Sequence, residues 1–366
     1  MKKIAILATG GTIAGASTGP INSAYESAKF GINEILSEFD ELKSIADISA
    51  EQICNIGSQD MNEKIWLKLS HRANELLAND KIDALVITHG TDTLEESGYF
   101  LTLTIKSQKP VVITAAMRSA NSLSSDGAMN LYNAISVAAC KNSANMGVLV
   151  VINDEIHLAR EIIKTNTTAL NAFASPNCGK CGIVHYGKAV FYTKSLRRHT
   201  MHSEFSAKFC KDLSSLQNLP CVEIVYDYAG ASGEAVYSAL NLGTKGIICA
   251  ALGNGNLSPN MLHALKFANS KGAIVVISSR TNSGIISGDE LDFNKLNFIL
   301  SDSLNAQKAR VLLMLCIASG FDKETIKYIE EHDLIEYVSS SCISQFEIPE
   351  LASLKIILLM MVQTFQ

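Results

Sequence analysis

The stretch "KIAILATGGTIA", Lys3 to Ala14, decides the fold. An unbroken apolar run, Ile4 to Ala8, leads to Gly10-Gly11, and a hydroxyl residue, Thr12, follows at once. Continuous rather than alternating apolarity marks a strand buried on both faces, the signature of a parallel sheet covered by helices. The same pattern returns in ALVIT (84–88), VVITAAM (111–117), VLVVIN (148–153), VEIVYDY (222–228), GIICAAL (246–252) and AIVVIS (273–278). Helical stretches lie between these runs. TDTLEESGYFLTLTI opens with Thr93 and Glu96 at capping-box spacing, and Asp126 to Cys140 carries Leu131, Ile135 and Ala138 at helical spacing. Strands alternating with helices predict an α/β, doubly wound architecture.

In such sheets ligands gather at the carboxyl ends of the strands. The residues just past each run therefore belong to one list: Gly10-Gly11-Thr12, His89-Gly-Thr91-Asp92, Arg118-Ser-Ala-Asn, Asn153-Asp-Glu, Gly253-Asn-Gly-Asn256 and Ser278-Ser-Arg280. Two of these loops carry a glycine followed directly by threonine.

Size and composition bound the rest. At 366 residues, 47% hydrophobic and 18% charged, the chain is long enough for two domains with a core each. The polar stretch from about Lys194 to Gln217 lacks a buried strand and reads as their connection. We expect a catalytic domain over 1–193, a linker over 194–219, a smaller α/β domain over 220–332 and an extra tail over 333–366. A net charge of −5 with scattered Lys and Arg gives no nucleic-acid footprint. The apolar run Ile356–Val362 falls far short of the roughly 20 residues a membrane helix needs. The N-terminal MKKIAIL has too few apolar residues for an h-region of about 7–15, and we read it as a strand. Nine dispersed cysteines argue against a disulfide framework and for a reducing compartment, so the expected location is the cytoplasm, or the periplasm if a leader has been removed. Cys178-Gly-Lys-Cys181 lacks the second pair or histidines that a zinc site needs.

Several chemistries are absent. Gly10 and Gly11 do not fit G-x-G-x-x-G, and there is no Walker A loop, H-E-x-x-H or G-x-S-x-G. What remains is threonine. A hydroxyl attacks only once a base takes its proton, and its oxyanion needs donors in place. Gly10-Gly11 let the backbone bend and approach a ligand closely. Thr91 precedes the carboxylate of Asp92, and Lys164 lies in KTNTTA beyond the fourth run. A Thr–Asp–Lys group at strand ends suits acyl transfer. Each member also has a plain structural reading: Thr12 as an N-cap, Asp92 as a first-turn carboxylate, Lys164 as a solvated side chain.

These residues also carry a family likeness. "ILATGGTIAG" (6–15) and "VITHGTDTLEES" (86–97) resemble the two signature stretches of the bacterial L-asparaginases and glutaminase-asparaginases, and the type II branch most of all. "NIGSQDMN" (55–62), "KPVVITAAMR" (109–118), "TNTTALNAFASP" (165–176), "GNGN" (253–256) and "LNAQKARVLL" (304–313) are similar to that family in the same order. The likeness runs from about residue 3 to about 332.

The resemblance implies hydrolysis of L-asparagine to L-aspartate and ammonia, with weaker L-glutaminase activity, no cofactor and no metal. It implies a larger N-terminal domain with a mostly parallel sheet and a smaller flavodoxin-like C-terminal one. Thr12 matches the family's nucleophile, Tyr25 the tyrosine beside it, and Thr91, Asp92 and Lys164 the second catalytic group. Ser58 and Gln59 match contacts to the substrate's α-carboxylate and α-amino groups, and Ala116 a backbone contact to its side-chain amide. The family's homotetramers complete each site with a neighbour's asparagine and glutamate. Asn256 matches the first; Glu290 matches the second across a one-residue gap in "SSRTNSGIISGDELDF" (278–293). Ser119 stands where the family usually has proline. The alternative from another class is a non-catalytic amino-acid-binding homologue that keeps the pocket.

Overall fold

A computed structural model describes residues 1–17, 19, 25–37, 41–205, 216–288 and 291–331. Glu290, residues 206–215 of the expected linker and the tail from 333 onward lie outside the described residues. The main sheet has eight strands: β1 (Lys2–Gly10), β2 (Ala46–Ile56), β3 (Ala84–Thr88), β4 (Val111–Thr114), β5 (Val148–Ile152), β6 (Glu155–Leu158), β7 (Gly182–His185) and β8 (Lys188–Phe191). Their spatial order is β8-β7-β6-β5-β4-β3-β1-β2. β2, β1, β3, β4 and β5 run parallel, and β6, β7 and β8 continue the sheet antiparallel.

The unbroken apolarity of β1 has a direct cause. Ile4, Ile6 and Ala8 face one helical layer, packing with Leu131, Ala134 and Ile135 of α3 (Gly127–Ala139). Ala5 and Leu7 face the other, with Leu69 and Ala73 of α1 (Glu63–Ala78) and Leu94 and Leu101 of α2 (Leu94–Thr104). Each Ile or Leu withdrawn from water contributes about 1.5–3 kcal/mol and each Ala less, so both faces demand apolar residues. Among the described residues β2 is the edge, paired to β1 alone, and its burial is patchy.

A second sheet holds β9 (Val222–Tyr226), β10 (Gly246–Ala251), β11 (Ile274–Ser279) and β12 (Ile299–Leu300), parallel and in sequential order. One face packs on α4 (Glu234–Asn241) and α5 (Pro259–Ser270). The other packs on α6 (Ala306–Ser319), whose Leu312 and Leu313 share a cluster with Tyr99, Phe100 and Leu103 of α2. A last helix, α7 (Lys323–Glu331), adds Ile326 and Ile329 to that cluster. The described residues, Met1 to Glu331, group as one compact unit.

The chain passes from β1 to β2 on one side and then to β3 on the other. Brought side by side with opposite exits, the carboxyl ends of β1 and β3 open a crevice between them, the place where such sheets bind ligands. Thr12 follows one strand and Thr91-Asp92 the other.

Candidate active site

β1 ends in a sharp turn. Gly10 and Gly11 have φ of 101° and 81°, in the region that disfavours any side chain, and Gly11 N–H donates to the Ile56 carbonyl at 2.8 Å. Thr12 then opens a short 3-10 turn, Thr12–Ala14, and is buried; its side chain does not cap that turn, because Gly11 is the cap residue. A Cβ on Gly11 would sit 2.8 Å from the His89 carbonyl carbon, and one on Gly90 would sit 2.7 Å from Ser58 Oγ. Loops 10–12 and 89–92 therefore meet backbone to backbone, and loop 57–59 closes on Gly90 through the Ser58 side chain.

Lys164 completes the group from a fourth segment. It lies in the two-residue strand Ile163–Lys164, paired with Phe173–Ala174, rather than in an open loop. Its Nζ donates to Thr91 Oγ1 at 2.9 Å and to Asp92 Oδ1 at 2.6 Å. The ammonium is largely sheltered, with 16% of its side chain exposed, while the Asp92 carboxylate is 58% exposed. The pair thus presents a carboxylate to the crevice with a donor beneath it. Since Thr91 Oγ1 accepts from Lys164, the Thr91 proton is free for another acceptor.

Ser58 is tied to the same loop. Asp92 N–H donates to Ser58 Oγ at 3.1 Å, and Thr93 Oγ1 donates to the Ser58 carbonyl at 2.8 Å. That second bond replaces the capping box suggested by Thr93 and Glu96: Thr93 stands at the N-cap without a side-chain cap bond, because its hydroxyl is spent on Ser58. Gln59 is exposed beside Ser58, its Nε2 facing Asp60 at 3.4 Å.

Ala116 is buried past the end of β4. Its loop is held by Asp126, which accepts from Met117 N–H at 3.0 Å, Arg118 N–H at 2.9 Å and Asn130 Nδ2 at 3.0 Å. Pattern reading could not assign Asp126 this part, since it looked like an ordinary helix start. The neighbouring Asn121 clasps the chain after Thr12: Ser17 N–H donates to its Oδ1 at 2.7 Å, and its Nδ2 donates to the Ser17 carbonyl at 2.8 Å. Tyr25 lies in the short strand Tyr25–Glu26, whose partner is Ala16–Ser17; its side chain lies outside the described residues. Just beyond, Ala28 N–H donates to the Gly11 carbonyl at 3.1 Å and Lys29 N–H to that of Ala14 at 2.7 Å.

Asn256 stands on the second sheet, where a bridge to Leu252 closes the turn after β10. Asp227 supports that turn by accepting from Ser258 N–H at 2.6 Å and Ser258 Oγ at 2.7 Å.

Two titratable groups near the site depart from their usual behaviour. His89 is fully buried, and burial pulls its pKa down to about 4. It is a neutral imidazole at pH 7 whose Nδ1–H donates to the Gly90 carbonyl at 2.7 Å, and so a spacer rather than an acid. Burial, with the Glu95 carboxylate next to it, raises Glu96 to about 7 against the pull of Arg310 and Lys308. Among the described residues no group of three His, Cys, Asp or Glu is placed to hold a metal ion. Cys178 is exposed, and Cys181 is buried with its thiol donating to the Ile156 carbonyl at 3.3 Å.

The geometry has counterparts. Residues 3–197 match the asparaginase N-terminal family profile, and 221–329 match the glutaminase/asparaginase C-terminal domain. The chain is 45% identical over 330 residues to L-asparaginase 2 of Escherichia coli, covering 90% of this chain and 92% of that one. It is 44% identical to a probable periplasmic L-asparaginase of Haemophilus influenzae, covering 90% and 93%. A solved structure titled a probable cytoplasmic L-asparaginase from Campylobacter jejuni superposes with a TM-score of 0.85 at 42% identity, over 89% of this chain and 98% of that one. With two domain profiles matched in order along most of its length, this chain belongs to the asparaginase family.

Proposed function

We propose that the protein is an L-asparaginase, an amidohydrolase that converts L-asparagine to L-aspartate and ammonia, with Thr12 as nucleophile. The observation that carries this reading is the Lys164 ammonium bonded at once to Thr91 and Asp92, on a loop that touches the glycine turn leading into Thr12. The Thr12 hydroxyl attacks the side-chain amide carbon and gives up its proton, the C–N bond breaks as the nitrogen is protonated to ammonia, and a β-aspartyl ester remains. Water then cleaves the ester, and Thr12 regains its proton. Thr91, Asp92 and Lys164 form the polar group that handles these protons, with Tyr25 beside Thr12. A non-catalytic binder has no use for such a set.

Ser58, Gln59 and Asp92 hold the zwitterionic backbone of the substrate, and Ala116 its amide. Ser58 Oγ already accepts from Asp92 N–H, so its own proton is left for the substrate carboxylate. A longer substrate meets only a modest barrier, since one methylene is worth about 1–3 kcal/mol. Weaker L-glutaminase activity follows, in keeping with a glutaminase-asparaginase of Pseudomonas fluorescens at 39% identity over 330 residues.

The same reading divides the chain into a catalytic domain (1–193), a connection (194–219) and a smaller domain (220–332). It makes the assembly a homotetramer in which a neighbour supplies Asn256 and Glu290. Large exposed apolar side chains, among them Tyr186, Leu196, Leu242 and Ile285, favour association. Described cysteines without disulfides favour a cytoplasmic location, while relatives carry names from both compartments. The deciding experiment is ammonia release by wild type and Thr12→Ala. The variant is expected to keep its affinity for aspartate and to turn over at least about a hundredfold more slowly. A variant that keeps most of its rate would remove Thr12 from the mechanism.

A further inference from the structure

Lys308 is a lysine within an otherwise apolar helix face, fully buried on α6 of the second sheet's layer. Its Nζ donates to the Ile162 carbonyl at 2.6 Å and stands 3.7 Å from Glu95 Oε2. Ile162 directly precedes the strand that carries Lys164. Glu95 lies three residues past Asp92, in the first turn of α2. Asn305, one turn back on α6, reinforces the link: its Nδ2 donates to Glu95 Oε2 at 3.2 Å while its Oδ1 caps the helix by accepting from Lys308 N–H.

We propose that Lys308 is a positioning residue for the Lys164–Asp92 pair, a clasp from the second sheet's helix that fixes the two segments on which the pair stands. The inference rests on the reading of Lys164 and Asp92 as catalytic. Stability alone does not call for this ammonium. Removing a charge from water costs several kcal/mol, and a well-packed apolar side chain of similar volume commonly serves stability as well or better. What an apolar residue cannot do is bond the Ile162 carbonyl and the Glu95 carboxylate together. Lys308 faces Glu95 from α2, and Glu161 and Arg160 from the chain before Ile162. Burial brings its pKa down to about 8, with both carboxylates opposing that shift and Arg160 adding to it. Arg160 and Glu161 are themselves anchored, Arg160 to Glu161 at 2.7 Å and to Asp302 at 3.5 Å, so the clasp sits in a fixed frame of charge.

The test is a double-mutant cycle between K308M and K164M, with kcat and KM measured per folded molecule. If the clasp acts through Lys164, K308M lowers kcat at least about tenfold in wild type with KM changed less than about threefold. In the K164M background it lowers the residual kcat less than about twofold. Equal losses in the two backgrounds, or a loss that only tracks the folded fraction, would overturn the inference. Should K308M not fold, E95Q/K308M, which also removes the stranded carboxylate, enters the same cycle. Full activity in K164M would instead overturn the catalytic reading, and the clasp with it.

Discussion

Gly11 and Gly90 stand back to back, so close that a Cβ on Gly11 would lie 2.5 Å from the Cα of Gly90. No flexible side chain is available to yield there; two backbones, each leading to a threonine, touch. Gly11→Ala therefore must push Thr12 away from Thr91, and must hold alanine at a φ of 81° as well. We expect kcat to fall at least about a hundredfold, since displacements near 1 Å at reacting groups have that scale. A stability loss of about 1–3 kcal/mol in denaturant titration is expected alongside. Wild-type turnover by Gly11→Ala would refute this packing.

Lys164 and Thr91 give a second pair of expectations. Lys164→Met takes the donor from Thr91 and Asp92 together, whereas Thr91→Val removes one hydroxyl and leaves the Lys164–Asp92 ion pair in place. Both should lower kcat by about 10²–10⁴, the range for a positioned proton-transfer group. Only Lys164→Met leaves the exposed Asp92 carboxylate unpaired and so should alter KM as well. Steady-state kinetics on L-asparagine separates the two; matching KM changes would contradict the geometry.

Asp126 offers a test away from the reacting atoms. Its carboxylate is the shared acceptor for the backbone N–H groups of Met117 and Arg118. Asp126→Ala frees both and loosens the loop of Ala116. The expected outcome is a KM raised about tenfold or more, from a loss of roughly 1.5–3 kcal/mol of charge-assisted bonding. Wild-type affinity for L-asparagine and for aspartate would show the loop is held by other means.

Glu96 carries a pH signature. In the folded chain its pKa is raised from 4.5 to about 7, by burial first and by Glu95 second. Folded molecules keep a proton that unfolded ones release, so the contribution is complete below about pH 4.5 and disappears as pH rises through about 7. Glu96→Gln retains a neutral side chain throughout. Its stability should equal wild type near pH 4.5 and exceed it by about 1–3 kcal/mol at pH 8. Denaturant curves at the two pH values check this, and a pH-independent difference would place the Glu96 carboxylate in water.

Much of this arrangement was legible in residue order. The apolar runs became strands because they lie between helical layers, and that continuity is visible without coordinates. Among strands with an open side, β9 was visible while β2 and β8 were not. β2 shows patchy burial at the sheet edge, and Lys188–Phe191 alternates exposed and half-buried positions. That the loops of Thr12 and Thr91 meet followed from the rule that loops converge at strand ends; Lys164 joins them from a short strand outside that set of loops. Asp126 and Lys308 escaped because their partners are backbone groups, Met117 N–H and the Ile162 carbonyl, which carry no mark in a sequence. Lys308, standing directly before the run ARVLLMLC, was the only outward hint of the latter.

The bond from Lys308 to Ile162 spans 146 positions along the chain. On the ribosome the glycine turn, both threonines and Lys164 emerge long before residue 308 is made. A nascent chain of that length holds every strand of the first sheet yet still lacks the brace that we propose sets its chemistry. A chain terminated before residue 308 should then be silent even though it carries the glycine turn, both threonines and Lys164.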